Sequence, residues 1–307
     1  MDLFNQQTTV PHLLRNVVKH IHPATNTFLI RKTGNTWEEI SFETTLDNAD
    51  AISSYFLEAG INKGDRLAFI IENCPEYVYY DQALQQIGCI NTSIYPTLSE
   101  AEIEYILLDS GAKTILVGSP FLLKKVIKIA NHCPDLIRII PVFNDFQKIT
   151  EKAVLNAGVL SLDQVIEEGK NKLNNYSTQI DALRASVMPS DISSLIYTSG
   201  TTGVPKGVML SHQNIYSNVM FSKESFPFED APDSKVLSFL PLNHIFEKMV
   251  TYIYLYSGIS IYYAESLDTI GDNLKEIKPD GFTTVPRLLE KVFEKIMAKG
   301  AEQTGIK

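Results

Sequence analysis

Hydrophobic and polar positions along the chain alternate between two periods. Over Ser41–Gly60 the apolar residues Phe42, Leu46, Ala49, Ile52 and Phe56 recur at helical spacing, and Gly60 closes the stretch. Arg66–Ile71 is a short buried-strand run. Pro75 then stands where a first helical turn accepts proline, and the next helix is predicted to about Gly88. Ser99 and Glu102 form a capping box ahead of an Ala101–Leu108 helix. Thr114–Val117 and Ile137–Phe143 read as strands, with a Pro120–Ala130 helix between them. Alternation of this kind predicts an α/β protein with a largely parallel sheet.

Periodicity weakens over Asn144–Pro189. One helix is predicted there, Leu162–Lys172, followed by a polar connection containing Asn174, Asn175, Ser177 and Thr178. From Ser193 the alternation returns. A strand–loop–strand unit leads to a helix capped by Ser211, then a Val236–Leu240 strand and a helix through Tyr252. Leu267–Ile277, Gly281–Val285 and Pro286–Met297 extend the pattern as helix, strand and helix, and Phe226–Ser234 reads as a hinge. The long uncharged run Met249–Ala264 is too short and too polar for a bilayer span. It reads as a buried helix, a break at Gly258 and a strand, its five tyrosines packed in the core rather than at a membrane interface.

Composition narrows the class. With 44% hydrophobic and 21% charged residues in 307, the chain is a globular protein large enough for about two lobes. A net charge of −9 with no basic stripe excludes a nucleic-acid partner as the expectation. Cys74, Cys89 and Cys133 are odd in number and lack C-x-x-C spacing, so reduced thiols in a cytoplasmic protein are expected and a structural zinc site is not. The first residues carry no signal-peptide pattern.

The chemistry concentrates in SSLIYTSGTTGVPKGV, Ser193–Val208. A buried strand opens into Thr198, Ser199, Gly200, Thr201, Thr202 and Gly203, followed by Pro205, Lys206 and Gly207. Glycines let backbone N–H groups approach an anion closely, four hydroxyls add neutral donors, and Lys206 brings one mobile positive charge. The arrangement predicts a cradle for nucleotide phosphates. Walker A spacing fails, because the sixth position from Gly200 is Pro205, and so does G-x-G-x-x-G. A second apolar run (Val208, Met209, Leu210) precedes Ser211, so the loop joins two strands and its anion binding does not use a helix dipole.

YTSGTTGVPKGV resembles the phosphate-binding signature of the adenylate-forming superfamily. LSFLPLNHIFEK (Leu237–Lys248) and FTTVPRLLEKV (Phe282–Val292) are similar to segments of its long-chain fatty acid–CoA ligase branch. Gly64-Asp65-Arg66, Asn73-Cys74-Pro75-Glu76 and Ile94-Tyr95-Pro96-Thr97 also fall in family order. The resemblance implies two packed α/β subdomains of the large N-terminal domain, with residues 1–190 and 191–307 as its successive parts. It implies fatty acid, ATP and coenzyme A as substrates and Mg²⁺ as the accompanying ion. The downstream Tyr-Gly-x-Thr-Glu segment, ribose-binding Gly-Asp motif and C-terminal domain of the family have no counterpart here, so the chain is expected to be an N-terminal fragment, inactive alone. Another adenylate-forming ligase, acting on medium-chain or aryl acids, and a non-catalytic nucleotide- or acyl-binding module are the alternatives. Loose membrane association and a homo-oligomer stay open.

On that resemblance Lys206 and His244 are the candidate catalytic residues. Thr198, Ser199, Gly200, Thr201, Thr202, Gly203 and Lys206 are the nucleotide-binding set, and Thr198 is the candidate metal ligand. A Thr198 that bonds only the loop backbone is the alternative there. His244 follows Pro241 at a strand end, where ligand groups collect in α/β folds, and its counterpart in related enzymes lies by the acyl carboxylate; a histidine packed at a strand–helix junction is its alternative. Glu247 and Lys248 are expected on a solvated face or in a local ion pair. Phe239, Phe246, Met249, Tyr252 and Ile253 are either acyl-tunnel lining or plain core, and Arg287 is a lesser carboxylate partner. His12, His20, His22, His132 and His212 show no ligand spacing.

Overall fold

A computed structural model describes residues 9–20, 23, 26–151, 153–198, 204–225 and 234–302. Helix α1 (Val10–His20) leads into a hairpin of β1 (Thr27–Thr33) and β2 (Thr36–Ser41), then α2 (Phe42–Glu58). Alternation runs through β3 (Arg66–Ile70), α3 (Pro75–Gln86), β4 (Ile90–Ser93), α4 (Glu100–Ser110), β5 (Thr114–Val117) and α5 (Pro120–Ile129). It goes on with β6 (Arg138–Pro141), α6 (Gln147–Thr150), β7 (Gly158–Val159) and α7 (Leu162–Ser186). The last third holds β8 (Ile192–Thr198), β9 (Lys206–Ser211), α8 (His212–Glu224), β10 (Lys235–Ser238) and α9 (Ile245–Ser257). It ends in β11 (Ser260–Tyr263), α10 (Ile270–Ile277), β12 (Gly281–Phe282) and α11 (Pro286–Glu302).

Element boundaries follow cap chemistry. The Ser41 hydroxyl accepts from Thr44 N–H to open α2, and Ser99 with Glu102 closes a reciprocal capping box on α4. Ser211 does the same with Asn214 on α8. Gly258 ends α9 in the left-handed region at φ 68°, the break predicted between helix and strand.

One sheet has seven strands in the order β7-β6-β5-β3-β4-β8-β9, parallel throughout except for antiparallel β8–β9. The other has five, β12-β10-β11-β1-β2, antiparallel only at β1–β2. The first is drawn from the consecutive strands β3–β9, whereas the second is discontinuous in sequence: the N-terminal hairpin joins it by pairing Leu29 with Ile261. Along β3 the side chains alternate, Leu67 and Phe69 entering the larger core and Ala68 and Ile70 the smaller one beneath α4 and α5. The larger core also takes Val236, Ile261 and Tyr263 of the second sheet, so α3 and α9 lie in a layer shared by both.

The expected polar connection after Lys172 is instead helical. Helix α7 continues to Ser186 because Leu173, Tyr176, Ile180 and Leu183 recur at helical spacing and pack on the large core, leaving Asn174, Asn175, Ser177 and Thr178 on the exposed face. Gly169 lets α7 reach α2: a Cβ there would stand 1.9 Å from the Ala51 carbonyl oxygen. The hinge expected at Phe226–Ser234 falls, up to residue 233, outside the described residues.

Candidate active site

Strands β3 and β4 are neighbours, yet their connections leave in opposite directions, to β4 on one side and back across to β5 on the other. Such a reversal opens a crevice at the carboxyl ends of the strands. The β4–β8 register pairs Ser93 with Ile196, so Tyr95 and Thr198 continue in step beyond the last paired residues. Across β8, Thr198 is paired with Lys206 at the start of β9. Both residues are solvent-exposed, so hydroxyl and ammonium leave the sheet at its carboxyl edge beside the connecting loop. One residue inward, the Tyr197 hydroxyl donates to Asp109 Oδ2 at 2.6 Å, tying the end of β8 to α4. Gly207 faces that ring, and a Cβ there would come within 3.1 Å of it. The two predicted strands on either side of the motif are therefore present and paired; Ser199, Gly200, Thr201, Thr202 and Gly203 lie outside the described residues.

His244 arrives from the other sheet as the N-cap of α9. Its Nδ1 accepts from Phe246 N–H at 3.1 Å, which places the neutral ring's proton on Nε2 and leaves an N–H to offer outward. The side chain is exposed, and the Tyr95 ring meets it edge-on with centroids 6.4 Å apart. Tyr95 belongs to this site, although in the sequence it stood out only as part of Ile94-Tyr95-Pro96-Thr97.

Glu247 and Lys248 correct the expectation of a solvated face. Helix α9 lies between the sheets, and both side chains are buried. Glu247 accepts from the Ser238 and Thr283 hydroxyls, each at 2.7 Å; burial without a cation pushes its carboxyl up to about 7. Lys248 Nζ is 3.5 Å from Asp81 Oδ1, a partner distant in sequence rather than a local one. Asp81 also accepts from Asn91 Nδ2 and the Tyr252 hydroxyl, both at 2.7 Å.

Phe239, Tyr252 and Ile253 are buried core, Met249 is half-buried and Phe246 is 45% exposed. Arg287 is exposed in the first turn of α11. His12 bonds Thr9, His132 sits 3.2 Å from Glu104, and buried His212 accepts from Val10 N–H. His22 and the side chain of His20 lie outside the described residues. Among the described residues no three His, Cys, Asp or Glu side chains gather as a metal site, and Cys74, Cys89 and Cys133 are unpaired. No helix among them is long and apolar enough to cross a membrane.

The family model described as AMP-binding enzyme matches residues 19–305. The chain belongs to that family. Long-chain-fatty-acid–CoA ligase 5 of Rattus norvegicus is 31% identical over 278 residues, 87% of this chain and 39% of the relative. The long-chain-fatty-acid–CoA ligase ACSBG2 of Xenopus laevis is 28% identical over 91% of this chain and 37% of its own length. This member of the AMP-binding family thus spans about two-fifths of the curated relatives it matches. Its fold is that of the carboxylate reductase adenylation domain from Mycobacterium chelonae (TM-score 0.82, 19% identity, 97% of this chain and 49% of that one). The carboxylic acid reductase domain of Segniliparus rugosus, solved with AMP and a co-purified carboxylic acid, gives TM-score 0.81 at 18% identity, covering 97% of this chain and 52% of that one. The expected large N-terminal α/β domain of adenylate-forming enzymes is the fold observed.

Proposed function

We propose that the enzyme containing this chain activates a long-chain fatty acid with ATP and passes the acyl group to coenzyme A. In the first step a carboxylate oxygen attacks the α-phosphorus of ATP, forming the acyl–phosphate bond as the bond to pyrophosphate breaks. In the second the coenzyme A sulfur, its proton released, attacks the acyl carbon and AMP leaves. A carboxylate is already nucleophilic at neutral pH, so the protein's task is to bring two anions together and stabilise charge on the leaving pyrophosphate. The observation that carries this reading is the β8–β9 ladder, which sets Lys206 opposite Thr198 at the carboxyl end of the sheet beside the crevice. Lys206, with the loop hydroxyls and amides of Ser199, Gly200, Thr201, Thr202 and Gly203, binds the phosphates.

His244 offers its Nε2–H to the acyl carboxylate or adenylate linkage without adding negative charge. The exposed Thr198 hydroxyl would hold a Mg²⁺ ion brought with ATP, which would offset phosphate charge as pyrophosphate leaves. The relatives' names support a long-chain acid, and LPLNHIFEK supports the same choice over aryl or medium-chain acids. A cytoplasmic enzyme with reduced thiols and no nucleic-acid partner completes the proposal. Lys206→Ala in the full-length enzyme is expected to slow ATP–pyrophosphate exchange on the order of 10²-fold with the melting temperature little changed. Wild-type exchange kinetics in that variant would remove the phosphate assignment.

A further inference from the structure

Asn73 stands in the turn between β3 and α3, at the carboxyl end of the seven-stranded sheet, yet all its side-chain bonds go to the other sheet. Its Oδ1 accepts from Leu242 N–H at 2.9 Å. Its Nδ2 donates to the Leu240 carbonyl at 2.7 Å and to Ser238 Oγ at 3.0 Å. The partners fix the amide's orientation, since an N–H requires the oxygen and a carbonyl requires the NH₂. Ser238 passes the chain of bonds on to Glu247, which also holds Thr283. Two further ties reinforce the segment: Asn243 Nδ2 donates to the Ile71 carbonyl at 2.9 Å, and the Tyr77 hydroxyl to the Leu242 carbonyl at 3.2 Å. His244 follows directly, its N–H returned to the Pro241 carbonyl at 2.9 Å. One half-buried side chain therefore holds the connection between β10 and α9 at three points.

We propose that Asn73 is a positioning residue for acyl activation: by fixing residues 238–242 to the end of β3 it sets where His244 stands at the crevice. The inference rests on the role given to His244 above. Asn73 touches none of the reacting atoms in that reading and acts through the imidazole alone. A misplacement of about 1 Å at a reacting group costs on the order of 10²-fold in rate, and the segment it holds ends one residue before Asn243 and two before His244.

Asn73→Asp is the sharpest test. It keeps the acceptor for Leu242 N–H, turns the bond donated to the Leu240 carbonyl into repulsion and removes the donor to Ser238 Oγ. In the full-length enzyme, acyl-adenylate formation is expected to fall about 10- to 100-fold in kcat, with KM for ATP changed less than about twofold. In a His244→Ala background the same substitution should cost less than about twofold, because the residue through which it acts is gone. Equal losses in both backgrounds would overturn the proposal, as a purely structural role would produce them. Ser238→Ala removes the acceptor of one bond and serves if the aspartate variant does not fold; the same non-additivity is required of it. An arm independent of catalysis separates the two readings. In the 307-residue chain, the His244 ring resonances should shift in Asn73→Asp and stay unmoved in the distant control Glu58→Gln. Unmoved His244 resonances in Asn73→Asp overturn the inference. Shifted resonances together with wild-type kinetics in His244→Ala support the positioning and reject only the catalytic role of His244.

Discussion

At the scale of single residues, Glu247 carries the clearest solution signature. Its carboxyl, fully buried and satisfied by two hydroxyl donors rather than a cation, ionises at about 7 in the fold against an ordinary 4.5. Between those values the folded chain holds a proton that the unfolded chain has released. Stability must then fall as pH rises through this window: the contribution is complete below about 4.5 and gone above about 7. A shift of that size corresponds to on the order of 3 kcal/mol. Glu247→Gln keeps one acceptor and adds one donor for the same two hydroxyls, and has no proton to lose. Thermal melts of both proteins from pH 5 to 8 should show the wild type losing stability relative to the variant. Parallel curves would contradict the account. Lys248, one residue on, faces Asp81 instead, which is why the neighbouring ammonium does not hold Glu247 ionised.

At the scale of elements, α2 and α7 show packing overruling propensity. Gly169 lies inside a helix of 25 residues, where alanine would ordinarily gain up to about 1 kcal/mol. A methyl group there would strike the Ala51 carbonyl, a backbone atom that cannot turn away. Gly169→Ala is therefore expected to cost about 2 kcal/mol or more, lowering the melting temperature by several degrees. Gly271→Ala on α10, with nothing within 4 Å of the added carbon, should leave it unchanged or raise it slightly. An unchanged melting temperature in the first variant would mean that the helices are not locked at this contact. The same pair marks the limit of what the sequence disclosed. Helix starts were legible wherever a hydroxyl cap preceded an apolar stripe, as at Ser41, Ser99 and Ser211. The second half of α7 was not, because its exposed Asn, Ser and Thr outnumber the stripe of Leu173, Tyr176, Ile180 and Leu183. β2 gave no signal either: an edge strand with only Ile40 buried has little alternation to read. For the site, the Lys206 ladder and the place of His244 at a strand–helix junction could be anticipated. Asn73 and Tyr95 could not, since each matters only through a segment distant in sequence.

At the scale of the whole molecule, the two sheets share one large core, but apolar surface is left uncovered at one end. On α11, Leu289, Val292, Phe293 and Met297 are 47–62% exposed, and their spacing puts them on a single face. Phe282 and Val285, just ahead of the helix, are exposed as well. A continuous ridge of this kind is uncommon on a monomeric soluble protein and marks a surface that associates. Two copies of the 307-residue chain can bury that ridge against one another. The purified chain is therefore expected to self-associate reversibly in the micromolar range, seen as a concentration-dependent sedimentation coefficient. Leu289→Glu combined with Phe293→Glu places two like charges on the ridge without disturbing any buried contact, so the melting temperature should hold while the species becomes monomeric. The wild-type chain sedimenting as a monomer at all concentrations, or the double variant associating as strongly, would show that the ridge does not drive assembly. Undiminished association of the double variant would turn attention to the edge strand β9, where Val208 and Met209 are 44% and 66% exposed and backbone pairing could recruit a second copy.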